Sequence, residues 1–225
     1  NSVASVAEML RLNGYSTAAF GKCHETAAWE ISASGPTERW PTRQGFDKFY
    51  GFFGGETNQW APLIYDGITQ VELPADPNYH FMTDMTDQAV AWIKYQKAMT
   101  PDKPFFVYFA PGAVHAPHHV PKEWADKYKG RFAQGWDKLR EETFARQKKL
   151  GVIAPDAELT KRHAEIPAWD EMPAQMKPVL ERQMEVYAGF LEHTDHHVGR
   201  LVDALENLGV LENTPGRHHL VVCTL

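Results

Sequence analysis

The sequence has few cysteines, no long apolar run and no excess of positive charge. Cys23 and Cys223 are the two cysteines among 225 residues, and without CxxC spacing they indicate neither a disulfide framework nor a thiolate zinc site. No stretch approaches the roughly 20 apolar residues of a membrane-spanning helix, so we expect no membrane span. The formal net charge is −6 and no block of lysine or arginine stands out, which argues against a nucleic-acid partner.

Three common catalytic motifs are also missing. The sequence has no G-x-S-x-G nucleophile elbow, no P-loop and no G-x-G-x-x-G dinucleotide fingerprint, so serine-hydrolase, nucleotide-phosphate and dinucleotide functions have no support. What remains is a globular composition, with 43% hydrophobic and 23% charged residues. The length suffices for one α/β domain or for a large part of a bigger one.

Short apolar segments that run into polar loops predict an open α/β sheet. Residues 5–13 have helical spacing, residues 15–20 are β-capable, and residues 105–109 form the nearly continuous apolar run of a buried parallel strand. Each predicted strand leads into a loop with Gly or Pro and polar side chains. Functional groups of such sheets collect just past the carboxyl ends of the strands.

The rest of the chain is less uniform in pattern. Further elements are predicted, in chain order: a helix over 82–99, a helical insertion over 124–165, a long helix within 173–208 and a buried strand over 220–224. Thr83 or Asp84 is the expected N-cap of the first of these helices. Residues 29–79 show little periodic pattern, which in a compact domain indicates a functional segment or one that packs across a site.

Lys22, His24 and His115 are the strongest candidates for chemistry. Side chains two apart in an extended segment point the same way, so Lys22 and His24 would together suit a tetrahedral oxyanion. Spacing alone favours the alternative of a solvated lysine beside a surface histidine. His115 follows the predicted strand at 105–109 and suits a leaving-group acid, or a loop histidine bonded to backbone.

Two histidine groups invite a metal assignment. His118 and His119 follow His115 closely, but no carboxylate stands at ligand spacing, which disfavours a metal there. His193 and His197 would share a helix face at i, i+4, as in a zinc site. Because the apolar stripe of that helix continues past them, we expect a packed helix whose polar side carries histidines.

Five blocks, taken in order, resemble segments of the type I sulfatases (arylsulfatases) of the alkaline-phosphatase-like superfamily. Each block is weak alone, but five in the family's order are specific. They are a helix leading to GKxH at 6–24, GFDxFYGF at 45–52, GGExxQWxP at 54–62, FFxYxxxxxxHxP at 105–117, and the helix with GRLVDAL at 192–209. The resemblance implies an α/β fold, with a mixed, mostly parallel sheet flanked by helices. It also implies that residues 1–225 are a partial catalytic domain, without its first strand and its C-terminal part.

The resemblance implies a role for each candidate residue. Lys22 would contact the sulfate oxygens and the hydroxyl of a hydrated formylglycine, which His24 would support. His115 would bind the sulfate and protonate the leaving oxygen. Trp60 would contact substrate, although aromatic residues between 40 and 60 could equally form core.

The same resemblance places the nucleophile and the metal outside this chain. The family makes formylglycine from the cysteine of C-x-P-x-R, which this sequence lacks, and Cys23 is not that nucleophile. The family's metal, usually calcium, would be bound by an upstream acidic pair and by an Asp-Asn pair after the strand at 220–224. We therefore expect no metal ligand in this chain and no activity from it alone.

The expected function is hydrolysis of a small sulfate ester, with an aryl sulfate favoured by the GGExxQWxP run at 54–62. Two alternatives stay open. One is a phosphonate or phosphate monoester hydrolase of the same superfamily. The other is a non-catalytic remnant of a sulfatase domain that only folds or binds partners.

Overall fold

The computed structural model describes residues 3–32 and 34–214. The strand predicted at 220–224 lies outside these residues. The described residues form two compact units. Unit 1 comprises the residues up to 119 together with those from 193 onward, and unit 2 comprises residues 120–192.

A five-stranded mixed sheet is the framework of unit 1, with the strand order β4-β3-β2-β1-β5. The central strand β1 is parallel to both β2 and β5, whereas β3 and β4 continue the sheet antiparallel. The strands are β1 (Ser16–Cys23), β2 (Lys48–Phe53), β3 (Tyr65–Asp66), β4 (Thr69–Gln70) and β5 (Phe105–Ala110). The α/β prediction with a mostly parallel sheet is confirmed, and so are the strands predicted at 15–20 and 105–109.

The helices of unit 1 begin and end where local chemistry satisfies their backbone. They are α1 (Val6–Leu12), α2 (Phe81–Met99) and the last part of α5 (Lys177–Asn207). In α1 the Ser5 hydroxyl accepts a hydrogen bond from the Glu8 N–H at 3.0 Å, and Gly14 follows with a φ of 91°, so the helix has an N-cap and a glycine stop.

The expected N-cap of α2 was wrong by a few residues. His80 is the cap, and its Nδ1 accepts from the Met82 N–H at 3.2 Å. Asp84 instead accepts hydrogen bonds from the hydroxyls of Tyr50 at 2.6 Å and Tyr79 at 2.9 Å. Burial, followed by this carboxylate, raises the pKa of both phenols far above the ordinary value, so both stay protonated donors.

Apolar side chains cover both faces of the sheet, as expected for strands buried on two sides. Alternation along β1 sends Phe20 to one face and Ala19 and Cys23 to the other. The first face packs with α2 and the end of α5. The second packs around Trp40, which is fully buried.

Two glycines allow the parallel strands to approach closely at their carboxyl ends. A Cβ on Gly51 would lie 1.9 Å from the carbonyl oxygen of Gly21. A Cβ on Gly21, whose φ is 104°, would lie 2.1 Å from the carbonyl oxygen of Ala110. Backbone contact of this kind requires glycine.

Unit 2 is helical, and ion pairs and aromatic contacts connect its segments to one another. It contains α3 (Lys122–Asp126), α4 (Gly135–Lys149) and the first part of α5. Arg182 pairs with Asp126 at 2.8 Å and Glu185 at 2.9 Å, and Trp136 meets Trp169 edge-on with ring centroids 4.8 Å apart. The segment predicted to be an insertion, 124–165, lies inside this unit.

None of the helices that the structure describes has the length and apolar character required to cross a membrane.

Candidate active site

The candidate residues lie at the carboxyl ends of the parallel strands. Lys22 is the penultimate residue of β1, and it pairs in register with Phe52 of β2. His24 comes directly after β1. His115 lies five residues beyond the last residue of β5.

The loop after β2 contacts both candidate histidines. A Cβ on Gly55 would lie 3.0 Å from Cε1 of His24, so the imidazole of His24 packs against this glycine. The next residue, Glu56, places Oε2 at 3.2 Å from Nδ1 of His115. Two histidines that follow different strands are therefore held by adjacent residues of one loop.

His115 has its backbone and one ring nitrogen fixed. Its N–H donates to the carbonyl of Gly112 at 3.0 Å. Its Nδ1 lies 2.9 Å from the carbonyl oxygen of Ala116, the kind of backbone contact that we considered as an alternative to a catalytic role. The ring contacts with Ala116 and Glu56 both involve Nδ1 and not Nε2.

The side chain of Lys22 lies in different surroundings from those of the two histidines. It is half-buried and lines a cavity of about 370 Å³ together with Cys23, Glu25 and Tyr108, among others; neither His24 nor His115 lines that cavity. Since β1 ends at Cys23, strand alternation does not fix the direction of His24. A site that uses all three residues requires the Lys22 ammonium to extend past the end of its strand.

Cys23 does not have the chemistry of a nucleophile. The side chain is buried, and its sulfur lies 3.7 Å from the hydroxyl of Thr26. Burial raises the pKa of the thiol to about 11. A thiol that is protonated at neutral pH is a poor nucleophile, which agrees with the sequence-based expectation.

Trp60 lies beside a histidine that the sequence did not single out. Its indole is 38% exposed and meets the ring of His80 edge-on, with centroids 4.7 Å apart. His119 stacks on the same indole at 6.4 Å. Trp60 thus contacts two histidine rings while part of the residue stays exposed.

His193 and His197 face the core of unit 1 and not a polar surface, which corrects the prediction for this helix. Both are buried, and their Nε2 atoms lie 3.1 Å apart. The hydroxyl of Thr83 lies 3.2 Å from Nε2 of His197, and Arg200 contacts Nδ1 of the same ring at 3.1 Å. Nε2 of both rings and Nδ1 of His197 have hydrogen-bonding partners, which lowers the cost of burying neutral imidazoles here.

His80 completes this buried cluster, with its ring 4.6 Å from that of His193. The sequence held a weak signal for it, a histidine directly before a helix with apolar periodicity. Across residues 3–32 and 34–214, no group of three or more His, Cys, Asp or Glu side chains has an arrangement that could hold a metal ion.

The buried histidines predict a loss of stability in mild acid. Burial, and then the charge of Arg200, lowers the pKa of His197 from 6.5 to about 4, and burial lowers that of His80. A lowered pKa in the folded state gives stability that is full above pH 6.5 and is lost as the pH falls toward 4. Between pH 7 and 5 we expect His197 to cost about 2 kcal/mol of unfolding free energy.

The measurement is denaturant unfolding at both pH values in the whole protein, by which we mean this sequence with any residues that its gene adds on either side. The control is His197→Gln, which keeps a polar side chain but cannot titrate. Its pH dependence should be smaller by about 2 kcal/mol than that of the original protein. Equal pH dependence in the two proteins would contradict the prediction.

Comparison with known proteins shows which family the chain resembles. The sulfatase family model matches residues 1–215. An uncharacterized sulfatase of Schizosaccharomyces pombe is 30% identical over 94% of this chain and 39% of its own length. An arylsulfatase of Klebsiella aerogenes is 28% identical over 94% of this chain and 45% of its own length. The chain thus spans less than half the length of these curated relatives.

Solved structures agree on the fold. The protein yidJ of Bacteroides fragilis superposes with a TM-score of 0.61 at 19% identity, covering 92% of this chain and 41% of that one. A protein solved with its substrate D-glucosamine-2-N,6-O-disulfate gives 0.58 at 16% identity, covering 95% and 48%. The sheet and its helices are those of the alkaline-phosphatase-like fold. Since the family model covers nearly the whole sequence, the chain belongs to the sulfatase family.

Proposed function

We propose that the whole protein hydrolyses sulfate esters, and that this chain contributes the groups that bind the sulfate and move a proton. The observation that carries the proposal is the loop after β2, which holds His24 through Gly55 and His115 through Glu56. Family membership supplies the reaction class. Such an arrangement at the carboxyl end of a parallel sheet is where ligands bind in α/β folds.

His115 would act on the leaving group. As the bond between sulfur and the ester oxygen breaks, the electron pair stays on that oxygen, and Nε2 of a protonated His115 supplies the proton. General-acid catalysis of this kind contributes about 10² to 10⁴ in rate. Transfer leaves a neutral imidazole, which a second proton from water restores.

Lys22 and His24 would stabilise the transferring sulfuryl group. A lysine ammonium is a compact point charge that neutralises negative charge on sulfate oxygens. His24, two positions later in the sequence, would donate a hydrogen bond to the same sulfuryl group. Donors fixed before the reaction stabilise charge as it develops.

The nucleophile and the metal belong to other residues in this proposal. The sequence has no C-x-P-x-R, and the described residues offer no metal-binding group. By the family resemblance, a formylglycine and a divalent metal, usually calcium, would be supplied by residues outside this chain. The metal would add positive charge near the sulfate, and this chain's residues would not ligate it.

Aryl sulfates are the proposed substrates. The relative from Klebsiella aerogenes is named an arylsulfatase, and the open face of Trp60 offers a flat apolar surface of the kind on which an aromatic ring packs. His80 and His119 hold that indole in place.

The test is a comparison of three substrates with the purified whole protein. We expect kcat/KM for 4-nitrophenyl sulfate to exceed that for 4-nitrophenyl phosphate and for a 4-nitrophenyl phosphonate ester by at least about tenfold, equivalent to about 1.4 kcal/mol of transition-state binding. Faster turnover of the phosphonate would favour the alternative within the superfamily. No turnover of any of the three esters would support a non-catalytic domain. The 225-residue chain is expected to be inactive by itself and serves as a negative control.

A further inference from the structure

We propose that Glu56 is a positioning residue for His115, and that its carboxylate fixes the hydrogen on Nδ1 and thereby directs Nε2 to the leaving oxygen. The inference rests on the proposed function, because His115 is the leaving-group acid there. It adds a residue to which the family resemblance assigned no role.

The position of the hydrogen follows from the partners of Nδ1. The carbonyl oxygen of Ala116 lies 2.9 Å from this nitrogen, and Oε2 of Glu56 lies 3.2 Å from it. A carbonyl oxygen and an ionised carboxylate can only accept hydrogen bonds. Nδ1 must therefore carry the hydrogen, which it donates to the Ala116 carbonyl, with the Glu56 carboxylate 3.2 Å away beside the same nitrogen.

When the hydrogen on Nδ1 is fixed, the protonation state of the ring alone decides whether Nε2 has a lone pair or a proton. In the neutral ring Nε2 has a lone pair, and in the charged ring it carries the proton that can be transferred. When that proton goes to the leaving oxygen, the ring keeps its Nδ1–H and Glu56 stays ionised, so no rearrangement is needed. The nitrogen opposite a second-shell partner is the one that reacts in such pairs.

The carboxylate contributes something that the Ala116 carbonyl does not. Ala116 is the sequence neighbour of His115, whereas Glu56 belongs to the loop after β2, so only the carboxylate ties the orientation of the ring to a second strand end. Glu56 is also adjacent to Gly55, against which His24 packs. The loop after β2 would therefore set the distance between His24 and His115 and also the orientation of the His115 ring.

The pair is too exposed to matter for stability. The side chains of His115 and Glu56 are 49% and 60% exposed, and exposed ion pairs contribute little to folding. The effect of Glu56 should therefore appear in catalysis and not in unfolding, which makes the two roles separable.

The experiment compares Glu56→Gln, Glu56→Asp and the control Glu72→Gln in the whole protein. Glu72 is an exposed glutamate between β4 and α2. Rates are measured on phenyl sulfate, whose leaving group needs a proton, and on 4-nitrophenyl sulfate, whose leaving group needs it less.

Glu56→Gln should lower kcat about tenfold or more on phenyl sulfate and less than about threefold on 4-nitrophenyl sulfate, because only the first depends strongly on the acid. Little change in KM is expected. Glu56→Asp should recover part of the rate on phenyl sulfate, and Glu72→Gln should match the original protein. The unfolding midpoint of all three variants should change by less than about 2 °C.

Nitrogen NMR of the histidine rings gives a second readout. The neutral His115 ring should carry its hydrogen on Nδ1, and the other tautomer should become populated in Glu56→Gln. An equal fall on both substrates, or no fall while His115→Ala is inactive, would overturn the role of Glu56 and leave the proposed function standing. If His115→Ala keeps the original rate on phenyl sulfate, the proposed function fails as well.

Discussion

Replacing Gly51 by alanine is expected to prevent unit 1 from folding. The new Cβ would lie 1.9 Å from the carbonyl oxygen of Gly21, and 2.8 to 2.9 Å from two more backbone atoms of that residue. These neighbours belong to the central strand, so no flexible side chain can move away. To remove this clash, β1 and β2 would have to separate at the paired residues Gly21 and Gly51. We expect this to lower the free energy of unfolding by more than about 4 kcal/mol.

The measurement is soluble expression and thermal unfolding of the whole protein. Gly199→Ala is the matched control, since a Cβ there meets nothing within 4 Å and alanine favours the interior of a helix by about 1 kcal/mol. We expect the Gly51 variant to be insoluble or to unfold at much lower temperature, and the Gly199 variant to equal or exceed the original protein. A soluble Gly51→Ala protein with an unchanged midpoint would show that the strands have room to part.

Replacing Lys22 by methionine in the whole protein is expected to lower kcat/KM for a sulfate ester by about 10² to 10³, the loss typical when one preorganised positive or hydrogen-bonding group is removed from a transition state. Methionine keeps the length and apolar stem of lysine, so packing at the end of β1 should persist. Lys22→Arg should recover part of the rate.

Lys48→Met is the control for this second prediction. Lys48 is also a strand lysine in the same sheet, but it begins β2 at the amino end of the strand, and its ammonium pairs with Asp66 at 2.5 Å. It should retain activity within about threefold, since exposed pairs have small effects. Full activity in Lys22→Met would remove this residue from the proposed site, whatever its family resemblance.

The strands and helices that the sequence predicted are those with the strongest pattern. The apolar run at 105–109 and the long periodic segments became β5, α2 and α5. The strand β2 was missed because it lies within a long stretch without period-two alternation. A strand buried on both faces reads as a continuous apolar run, and KFYGFF is such a run.

The loop that joins the two histidines could not be predicted. Glu56 and His115 are 59 positions apart, and their 3.2 Å contact depends on the parallel pairing of three strands. Sequence reasoning placed His24 and His115 just past predicted strands, but it predicted neither β2 nor the role of the loop that carries Glu56. Which ends lie side by side is decided by tertiary pairing.

The orientation of α5 shows a different limit. Histidine is intermediate in burial, so the apolar stripe alone predicted that His193 and His197 lie outside it. The structure buries both, with their Nε2 atoms in contact with each other and that of His197 also in contact with Thr83. A sequence pattern that treats each residue separately cannot predict that two polar side chains will form a hydrogen bond with each other.

The position of β5 at the end of the sheet order has a practical consequence for handling this polypeptide. Within the described part of unit 1, β5 pairs with β1 on one side and with no strand on the other. Its six residues, FFVYFA, combine high β propensity with no charge and no proline, which is the composition of segments that associate edge to edge. An edge of this composition favours pairing between copies, so we expect residues 3–214, prepared alone, to associate increasingly as their concentration rises.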